Sequence, residues 1–240
     1  MVNDRLVHVL ESRNLLSKVQ CGFRKDHSTL ARLRTFIKKA FARKKQVLAD
    51  FFDLEKAYDT TWRFGILKDL FDLDFRGSLP IFISNFLKDR YFKVKAENTF
   101  SSYHQEKGVP QSSILSPKLF NLKINNINNT VSKHIHASLF EDDFALYAEG
   151  KHLQHLERTN QLCIDNVQKW VSENGLRFSV SRTTCVHFHR QRIYTQLALH
   201  LDGQPIPVKG IQGNENVDKL AKAALNRASS SRKLICWSDL

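Results

Sequence analysis

The stretch VLADFFDLEKAYD, residues 47–59, decides most of the fold, because it has the pattern of a short buried strand that ends in an acid. Its first six residues are apolar except for Asp50, and the run has the length of a strand. We expect the strand to end at Asp53. A second stretch, HASLFEDDFALYA at residues 136–148, is apolar, then acidic, then apolar. This pattern predicts a β-hairpin with the acids of residues 141–143 at its tip.

Helical periodicity alternates with strand-like runs along the rest of the chain, which predicts a mixed α/β protein. The predicted helices are 4–16, 29–45, 78–89, 152–174 and one that starts at Ser116 as its N-cap, and the predicted strands are 91–96, 184–189 and 197–201, with a turn at Asp202-Gly203. From Lys209 onward the sequence is polar and rich in Ser and Arg, and it predicts one short helix in an irregular tail.

The charge balance favours a polyanionic partner. The chain carries 37 Lys and Arg against 24 Asp and Glu, a formal net charge of +13. Such an excess is typical of nucleic-acid-binding proteins and sometimes of membrane-surface proteins, although a merely soluble basic protein is a simpler alternative. None of the four cysteines forms a CxxC pair, and the chain shows neither a membrane-length apolar run nor a signal peptide. We therefore expect an intracellular, non-secreted protein with no membrane partner, in the nucleus or the cytoplasm.

The acids at the two strand ends are the candidate catalytic residues. The adjacent carboxylates Asp142 and Asp143 repel each other, and placing them beside apolar strands adds a desolvation cost. Divalent cations relieve both costs, and hard oxygen ligands suit Mg²⁺. Two such ions about 3.5–4 Å apart can serve phosphoryl transfer. A solvated acidic turn explains the hairpin tip comparably well, because Asp is common in turns.

Three segments, in order, resemble the central palm motifs of reverse transcriptases, most closely those of jockey-type non-LTR retrotransposons of arthropods. These segments are FFDLEKAYD (51–59), GVPQSSILSPKLFN (108–121) and FEDDFALY (140–147). The resemblance extends over residues 4–208, because LLSKVQCGFRKDHST (15–29) is similar to the fingers segment and ENGLRFSVSRTTCVHF (173–188) to the fourth palm motif. A group II intron maturase or a telomerase-like protein fits the local motifs less well.

The resemblance implies an α+β fold, the fingers and palm of a right-hand polymerase, with an antiparallel palm sheet that carries the acids. It implies an RNA-directed DNA polymerase of a transposable element, which adds deoxynucleoside triphosphates to a DNA primer 3′-hydroxyl on an RNA template. The implied cofactor is Mg²⁺, with Mn²⁺ as an alternative, and the oligomeric state is left open. Asp53, Asp142 and Asp143 are the implied catalytic metal ligands, and the carbonyl of Leu54 is a further metal contact.

Other roles follow from the matched motifs. Tyr58 matches the aromatic residue that lies under the incoming sugar and discriminates against a 2′-hydroxyl. Gln111 matches a residue that helps to hold the incoming nucleotide and the template. Arg24 matches a basic fingers position that contacts the phosphates of the nucleic acid.

Three residues depart from the family pattern. Ser112 stands where the family has Gly, so its side chain is expected to crowd a position at which backbone approaches a base pair. Glu141 adds a third negative charge beside the paired acids and is expected to disfavour their ionisation and perturb metal geometry. Arg182 stands where the family has a Lys that is a candidate proton donor to the leaving pyrophosphate. It keeps the nucleotide-binding charge but releases protons reluctantly.

The tail, residues 209–240, resembles a different domain. GIQGNENVDKLAKAAL (210–225) is similar to the last motif of a ribonuclease H domain, in which Asp218 matches an acid, but Val208 stands where the family has a flexible His. One carboxylate cannot hold two metals, so we expect no ribonuclease H activity. The expected organisation is a partial fingers–palm unit over residues 1–208, no thumb, and a largely irregular ribonuclease H remnant, joined through an internal deletion or a mis-joined gene model.

The alternative function is a catalytically inactive remnant of such an element that at most binds nucleic acid nonspecifically. The expected absence of a thumb and the three departures favour this alternative. His187 and His189 share one face of a predicted strand, and His134 and His136 are spaced in the same way. With no third ligand nearby, a structural role is the better interpretation of both pairs.

Overall fold

Helices and strands alternate along the chain, and the computed structural model describes residues 2–22, 29–96, 99–111, 113–190 and 197–212. The helices are α1 (Val2–Ser12), α2 (Thr29–Ala42), α3 (Ala57–Thr60), α4 (Arg63–Asp72), α5 (Ser78–Leu87), α6 (Ser116–Ile124) and α7 (Leu153–Glu173). The strands are β1 (Gln46–Asp53), β2 (Tyr91–Ala96), β3 (Thr99–His104), β4 (His136–Phe140), β5 (Asp143–Gly150), β6 (Thr184–His189), β7 (His200–Leu201), β8 (Gln204–Pro205) and β9 (Val208–Gln212). Among the described helices, none combines the length and the apolar character that a bilayer crossing needs.

Strand β1 lies at the centre of the main sheet. Seven of its eight residues are buried. It pairs antiparallel with β5 on one side and with β6 on the other, and the strand order of the sheet is β4-β5-β1-β6-β9. The predicted hairpin is formed by β4 and β5, with Glu141 and Asp142 between the paired residues Phe140 and Asp143.

Helices cover both faces of this sheet because side chains along β1 alternate between the faces. Val47, Ala49 and Phe51 pack in one cluster with the buried side of α2. Leu48 and Phe52 belong to the larger cluster on the other face, to which α1, α4, α6 and α7 contribute. The sheet is therefore a middle layer, and its strand ends are held by packing on two sides.

Strand β9 departs from two expectations, an antiparallel sheet and a domain boundary after Val208. It runs parallel to β6, so the sheet is antiparallel over four strands and parallel at the fifth. Parallel pairing needs a long connection, and the segment 190–207 after β6 supplies it. The domain boundary expected after Val208 therefore falls inside a strand of the main sheet. Residues 213–240, with Asp218 and the predicted tail helix, lie outside the described residues.

Several element ends differ from the predicted ones for local reasons. The first two helices stop early, before Asn14 and Lys44, whose φ angles of 51° and 56° are left-handed. Helix α6 includes Ser116 as its first residue and follows Leu115, without a side-chain cap. The strand predicted at 197–201 is shortened to the two residues of β7, and β3 was not predicted.

A buried polar cluster lies between β1 and α7. Asp50 is fully buried, and its Oδ2 accepts a 2.8 Å hydrogen bond from Nδ2 of Asn160. Burial raises the pKa of Asp50 to about 6, although hydrogen bonds from Cys185 and Asn160 oppose the rise. The folded chain therefore holds this proton more tightly than the unfolded chain does.

We expect Asp50→Asn to stabilise the fold at about pH 8 and to change its stability much less at about pH 4. A carboxyl with a raised pKa contributes stability below its unfolded pKa, and that contribution is lost as pH rises through about 6. A shift of about two pKa units corresponds to ~3 kcal/mol, a cost that the non-ionisable Asn avoids. Denaturant unfolding at both pH values measures the difference, with the exposed Asp165→Asn as control. A variant less stable than the parent at the higher pH contradicts the prediction.

Candidate active site

The ends of β1 and β5 bring two of the predicted carboxylates together. Asp53 and Asp143 are directly opposed in the antiparallel register, so their side chains lie on the same face of the sheet. Asp142 precedes them in the turn, and its carbonyl accepts a 3.2 Å hydrogen bond from the amide of Leu54. The carbonyl of Asp53 accepts a 2.8 Å hydrogen bond from the amide of Ser179. Backbone hydrogen bonds from both sides therefore hold the end of β1 at the hairpin tip.

The turn that carries Asp142 is tightly packed. Glu141 has a φ of 56°, a region that residues with a side chain seldom occupy. Behind it lies Gly22, where an added Cβ would be 2.7 Å from the amide nitrogen of Glu141. Just before the turn, Leu139 exchanges backbone hydrogen bonds with Val19 and Cys21 at 2.9 and 2.7 Å. The segment before residue 23 thus supports the hairpin tip, a contact that local sequence patterns did not predict.

Arg182 lies against the first of the carboxylates. Its Nη2 is 2.8 Å from Oδ2 of Asp53, and its Nε donates a 3.3 Å hydrogen bond to Oγ of Ser179. The side chain of Asp53 is 4% exposed and that of Arg182 is 36% exposed, so the guanidinium covers the carboxylate. The structure therefore pairs the predicted nucleotide-binding residue with the predicted metal ligand, and the nucleotide-binding role stays a prediction.

Negative charge is concentrated at Asp143. Burial raises the pKa of this carboxyl to about 7, and the neighbouring Asp142, Asp53 and Glu141 add to the rise, while Arg182 opposes it. The expected effect of Glu141 is therefore present at Asp143. A cation bound beside Asp143 would favour the ionised form of this carboxyl.

The donor set suits a divalent cation, but the three carboxylates do not converge in the described part of the chain. Among the described residues, no group of three His, Cys, Asp or Glu side chains is placed to hold one metal ion. A cation would relieve the repulsion between the carboxylates around Asp143. Carboxylates and backbone carbonyls are also the ligands that Mg²⁺ accepts. Because Nη2 of Arg182 lies 2.8 Å from Oδ2 of Asp53, a cation that binds this oxygen would compete with the guanidinium.

We expect Mn²⁺ or Mg²⁺ affinity to fall as pH drops below about 7, by up to about tenfold per pH unit, because protons and metal compete for Asp143. Above that pH the affinity should level off. Glu141→Gln removes one source of repulsion and should shift the fall toward lower pH. Mn²⁺ titrations followed by electron paramagnetic resonance across this pH range measure both effects. An affinity that does not change with pH, or an unshifted profile in the variant, would contradict the prediction.

The two other predicted nucleotide-binding residues lie near α3. Tyr58 is 8% exposed, and its ring stacks on Phe120 with 5.3 Å between ring centroids. Gln111 is exposed, and its Nε2 donates a 2.8 Å hydrogen bond to Oδ1 of Asp59. The sequence motifs did not single out Asp59, although it directly follows Tyr58 in the segment 51–59. The roles of Tyr58 and Gln111 remain predictions.

The segment that leads to Gln111 is locked against α3. Gly108 has a φ of 82°, and its amide donates a 2.8 Å hydrogen bond to the carbonyl of Thr61. The amide of Val109 donates to the carbonyl of Tyr58 at 2.7 Å, and Nε of Arg63 donates to the carbonyl of Gly108 at 2.8 Å. The sequence motifs did not single out Arg63 or Gly108 either, although Gly108 begins the segment 108–121.

Two predicted residues, Arg24 and Ser112, lie outside the described residues. The histidine pair on β6 is buried, and Nε2 of His187 lies 2.8 Å from Oε1 of Gln46. Burial lowers the pKa of His187 to about 4, with a further contribution from His189. This buried, packed pair fits the structural interpretation.

Comparisons with known proteins agree on one family. The family described as "Reverse transcriptase (RNA-dependent DNA polymerase)" matches residues 1–220. The "Probable RNA-directed DNA polymerase from transposon BS" of Drosophila melanogaster is 28% identical over 196 residues, which cover 76% of this chain and 21% of that protein. The "RNA-directed DNA polymerase from mobile element jockey" of the same species is 25% identical over 198 residues, 78% of this chain and 22% of that protein. The chain thus spans about a fifth of the length of these curated relatives.

Solved structures with a similar fold include telomerases. Apo telomerase of Candida tropicalis, truncated from its C-terminal domain, superposes with a TM-score of 0.57 and 13% identity, covering 81% of this chain and 40% of that one. The telomerase of the same organism in complex with a fragment of telomeric RNA gives a TM-score of 0.58 and 13% identity, covering 78% and 33%. At this identity the likeness concerns the fold alone, a mixed arrangement of helices and sheet.

Proposed function

The chain belongs to the reverse transcriptase (RNA-dependent DNA polymerase) family, and we propose that it forms the fingers and palm of an RNA-directed DNA polymerase of a non-LTR retrotransposon. The observation that carries the proposal is the direct opposition of Asp53 and Asp143 at the ends of two central strands, with Asp142 in the adjoining turn. The relatives that match most of this chain are transposon polymerases, which supports the same activity.

Each residue near the hairpin tip then has a chemical role. Asp53, Asp142 and Asp143, with the carbonyl of Leu54, would be the residues that hold Mg²⁺, for which Mn²⁺ could substitute, once the three carboxylates move together. When bound, the metal activates the primer 3′-hydroxyl and neutralises charge on the leaving oxygen. Arg182, now paired with Asp53, would be the residue that contacts the triphosphate of the incoming nucleotide.

The residues around α3 position the nucleotide. Tyr58 presents its ring edge to the sugar, and its stacking on Phe120 fixes the ring plane. Gln111 contacts the nucleotide and the template, and the hydrogen bond to Asp59 restricts its side chain before binding. Positioning of this kind supplies much of the rate enhancement in phosphoryl transfer.

The partners are an RNA template, a DNA primer and deoxynucleoside triphosphates. The net charge of +13 supports binding of a polyanionic backbone. Such binding releases counterions, so the affinity falls steeply with salt concentration. We assign residues 1–212 to the fingers–palm unit, four residues beyond the boundary expected from sequence, because β9 completes the main sheet. The ribonuclease H-like remnant is then assigned to residues 213–240.

The inactive remnant remains the second candidate function, and the ion pair between Arg182 and Asp53 is the observation that favours it. A guanidinium that stays on Asp53 neutralises a metal ligand without supplying the chemistry of a metal. In that case the chain binds nucleic acid through charge alone. The two candidates share the fold and differ in whether Arg182 yields to a cation.

Primer extension separates the two candidates. The purified chain is given an annealed RNA template and DNA primer, deoxynucleotides and Mg²⁺, and the double variant Asp142→Asn with Asp143→Asn is the negative control. Asp72→Asn with Asp74→Asn makes the same charge change at two exposed positions and should leave extension unchanged. Extension that only the hairpin variant abolishes supports the polymerase. Salt-sensitive binding without extension supports the remnant.

A further inference from the structure

A groove of about 640 Å³ lies beside the outer edge of β4, away from the carboxylates. Its lining includes Lys18, Arg32, Phe36, Lys39, His136 and Tyr147, and these residues define what we name the α2–β4 groove. His136 begins β4, whereas Phe140 at the other end pairs with Asp143. Four residues of extended chain separate the two ends, about 13 Å. The groove is therefore distinct from the candidate active site.

The charge of the α2–β4 groove has one sign. Lys18, Arg32 and Lys39 are basic, and the residues that line the groove include no Asp or Glu. Nη1 of Arg32 donates a 2.6 Å hydrogen bond to the carbonyl of Lys18, which ties the segment before α2 to that helix. Lys18 and Lys39 are exposed. Three cations along an open groove fit a ligand with repeated negative charges.

An aromatic stack forms the floor of the groove. His136 and Tyr147 are directly opposed across β4 and β5, and their rings are stacked with centroids 5.7 Å apart and planes 13° apart. Phe36 on α2 contacts both rings, at 4.7 Å from His136 and 5.0 Å from Tyr147. The hydroxyl of Tyr147 lies 3.2 Å from that of Ser138 and holds the buried ring in place. His136 is the exposed member of the stack.

Cations beside an exposed, supported ring are the elements that bind unpaired nucleotides, because phosphates meet the charges and a base stacks on the ring. We propose that the α2–β4 groove binds a single-stranded segment of polynucleotide, with a base stacked on His136 and phosphates on Lys18, Arg32 and Lys39. The proposal rests on the proposed function in taking nucleic acid as the polyanion. A duplex is disfavoured as the occupant because its bases are already stacked on one another.

Fluorescence anisotropy with labelled oligonucleotides tests the proposal without metal or turnover. Short single-stranded RNA, single-stranded DNA of matched sequence and a DNA hairpin serve as probes of the full chain, and polyglutamate serves as a competitor. The RNA and DNA arms distinguish a template strand from a displaced or product strand. Lys39→Ala is compared with Lys38→Ala, and His136→Ala with His134→Ala, because each control residue is also exposed but does not line the groove.

We expect His136→Ala to weaken single-strand binding about fivefold or more, at the low end of what loss of one stacked base costs. His136→Phe should restore most of the affinity, because it keeps the stacking surface and shows that the loss is not a folding defect. Lys39→Ala should weaken binding and lower the slope of log affinity against log salt by about 0.7, the share of one phosphate contact. In both variants, the affinity for the DNA hairpin should fall less than the affinity for the single strands.

Groove variants that bind single strands as their controls do would overturn the proposal. Polyglutamate that displaces the single strands as effectively as unlabelled oligonucleotide would also overturn it, since that indicates a general anion patch or an acidic peptide site. Primer extension is judged separately. If extension fails while the His136 and Lys39 variants lose binding, the polymerase assignment fails and the groove stands; the reverse pattern removes the groove alone.

Discussion

Asp53→Asn is expected to reduce Mg²⁺-dependent primer extension on the order of a thousandfold, the scale at which loss of a residue acting as part of a catalytic unit is measured. An amide is a poor ligand for a hard cation, and it cannot balance the charge of the metal. Asp53 also closes β1 at the hairpin tip, directly opposite Asp143. The measurement is the initial rate of extension at saturating Mg²⁺, together with Mn²⁺ affinity in the same variant.

Arg182→Gln is the matched control for Asp53→Asn, because it removes the other half of the same ion pair. If the loss in Asp53→Asn came from the broken ion pair, both variants would lose fold stability and activity in parallel. We expect instead that Arg182→Gln retains or increases Mn²⁺ affinity, since the guanidinium no longer competes for Oδ2. Equal Mn²⁺ affinity in Asp53→Asn and the parent chain would remove Asp53 from the metal site.

Gly108→Ala is expected to destabilise the chain by about 3–5 kcal/mol, because overpacking against backbone and left-handed strain add together. An added Cβ would lie 2.5 Å from the carbonyl oxygen of Tyr58 and 2.6 Å from that of Asp59. Both obstacles are backbone atoms, so no side chain can turn away. The contact also supports Gln111, so extension should fall in any fraction that still folds.

Gly203→Ala is the matched control for Gly108→Ala, because Gly203 also has a positive φ, of 72°, but an added Cβ meets nothing within 4 Å. It should cost only the left-handed strain, about 1–2 kcal/mol. Denaturant unfolding of the two variants beside the parent chain measures the difference. Similar losses in both would show that strain, and not the contact with α3, explains the requirement for glycine.

The family assignment made from sequence motifs is confirmed. The reason is that the motifs coincide with local structure. The apolar run before Asp53 forms the central strand, and the hairpin around Asp142 forms as predicted. A short apolar strand and a tight hairpin turn are each favoured by neighbouring residues, so one sequence is enough to predict them.

The sequence did not correctly predict the ends of several helices or the pairing of the last strand. Strand β9 was included in an irregular tail, because a short strand at an edge has no periodic pattern of its own. The first two helices were predicted too long, since amphipathic periodicity continues into residues whose backbone turns left-handed. For β9 the deciding interaction is its pairing with the distant strand β6. For the two helices it is the left-handed backbone at Asn14 and Lys44.

By itself, the sequence determined which acids stand at the ends of which strands and, through the motifs around them, the family. The tertiary structure decided which side chains contact the acids at this site. Arg182 reaches Asp53 because the segment after α7 returns to β1, and Gln111 reaches Asp59 across 52 positions because Gly108 admits close backbone contact. Strand and turn patterns depend on neighbours in the chain. Ion pairs, the α2–β4 groove and the raised pKa of Asp143 depend on packing between segments that no local pattern relates.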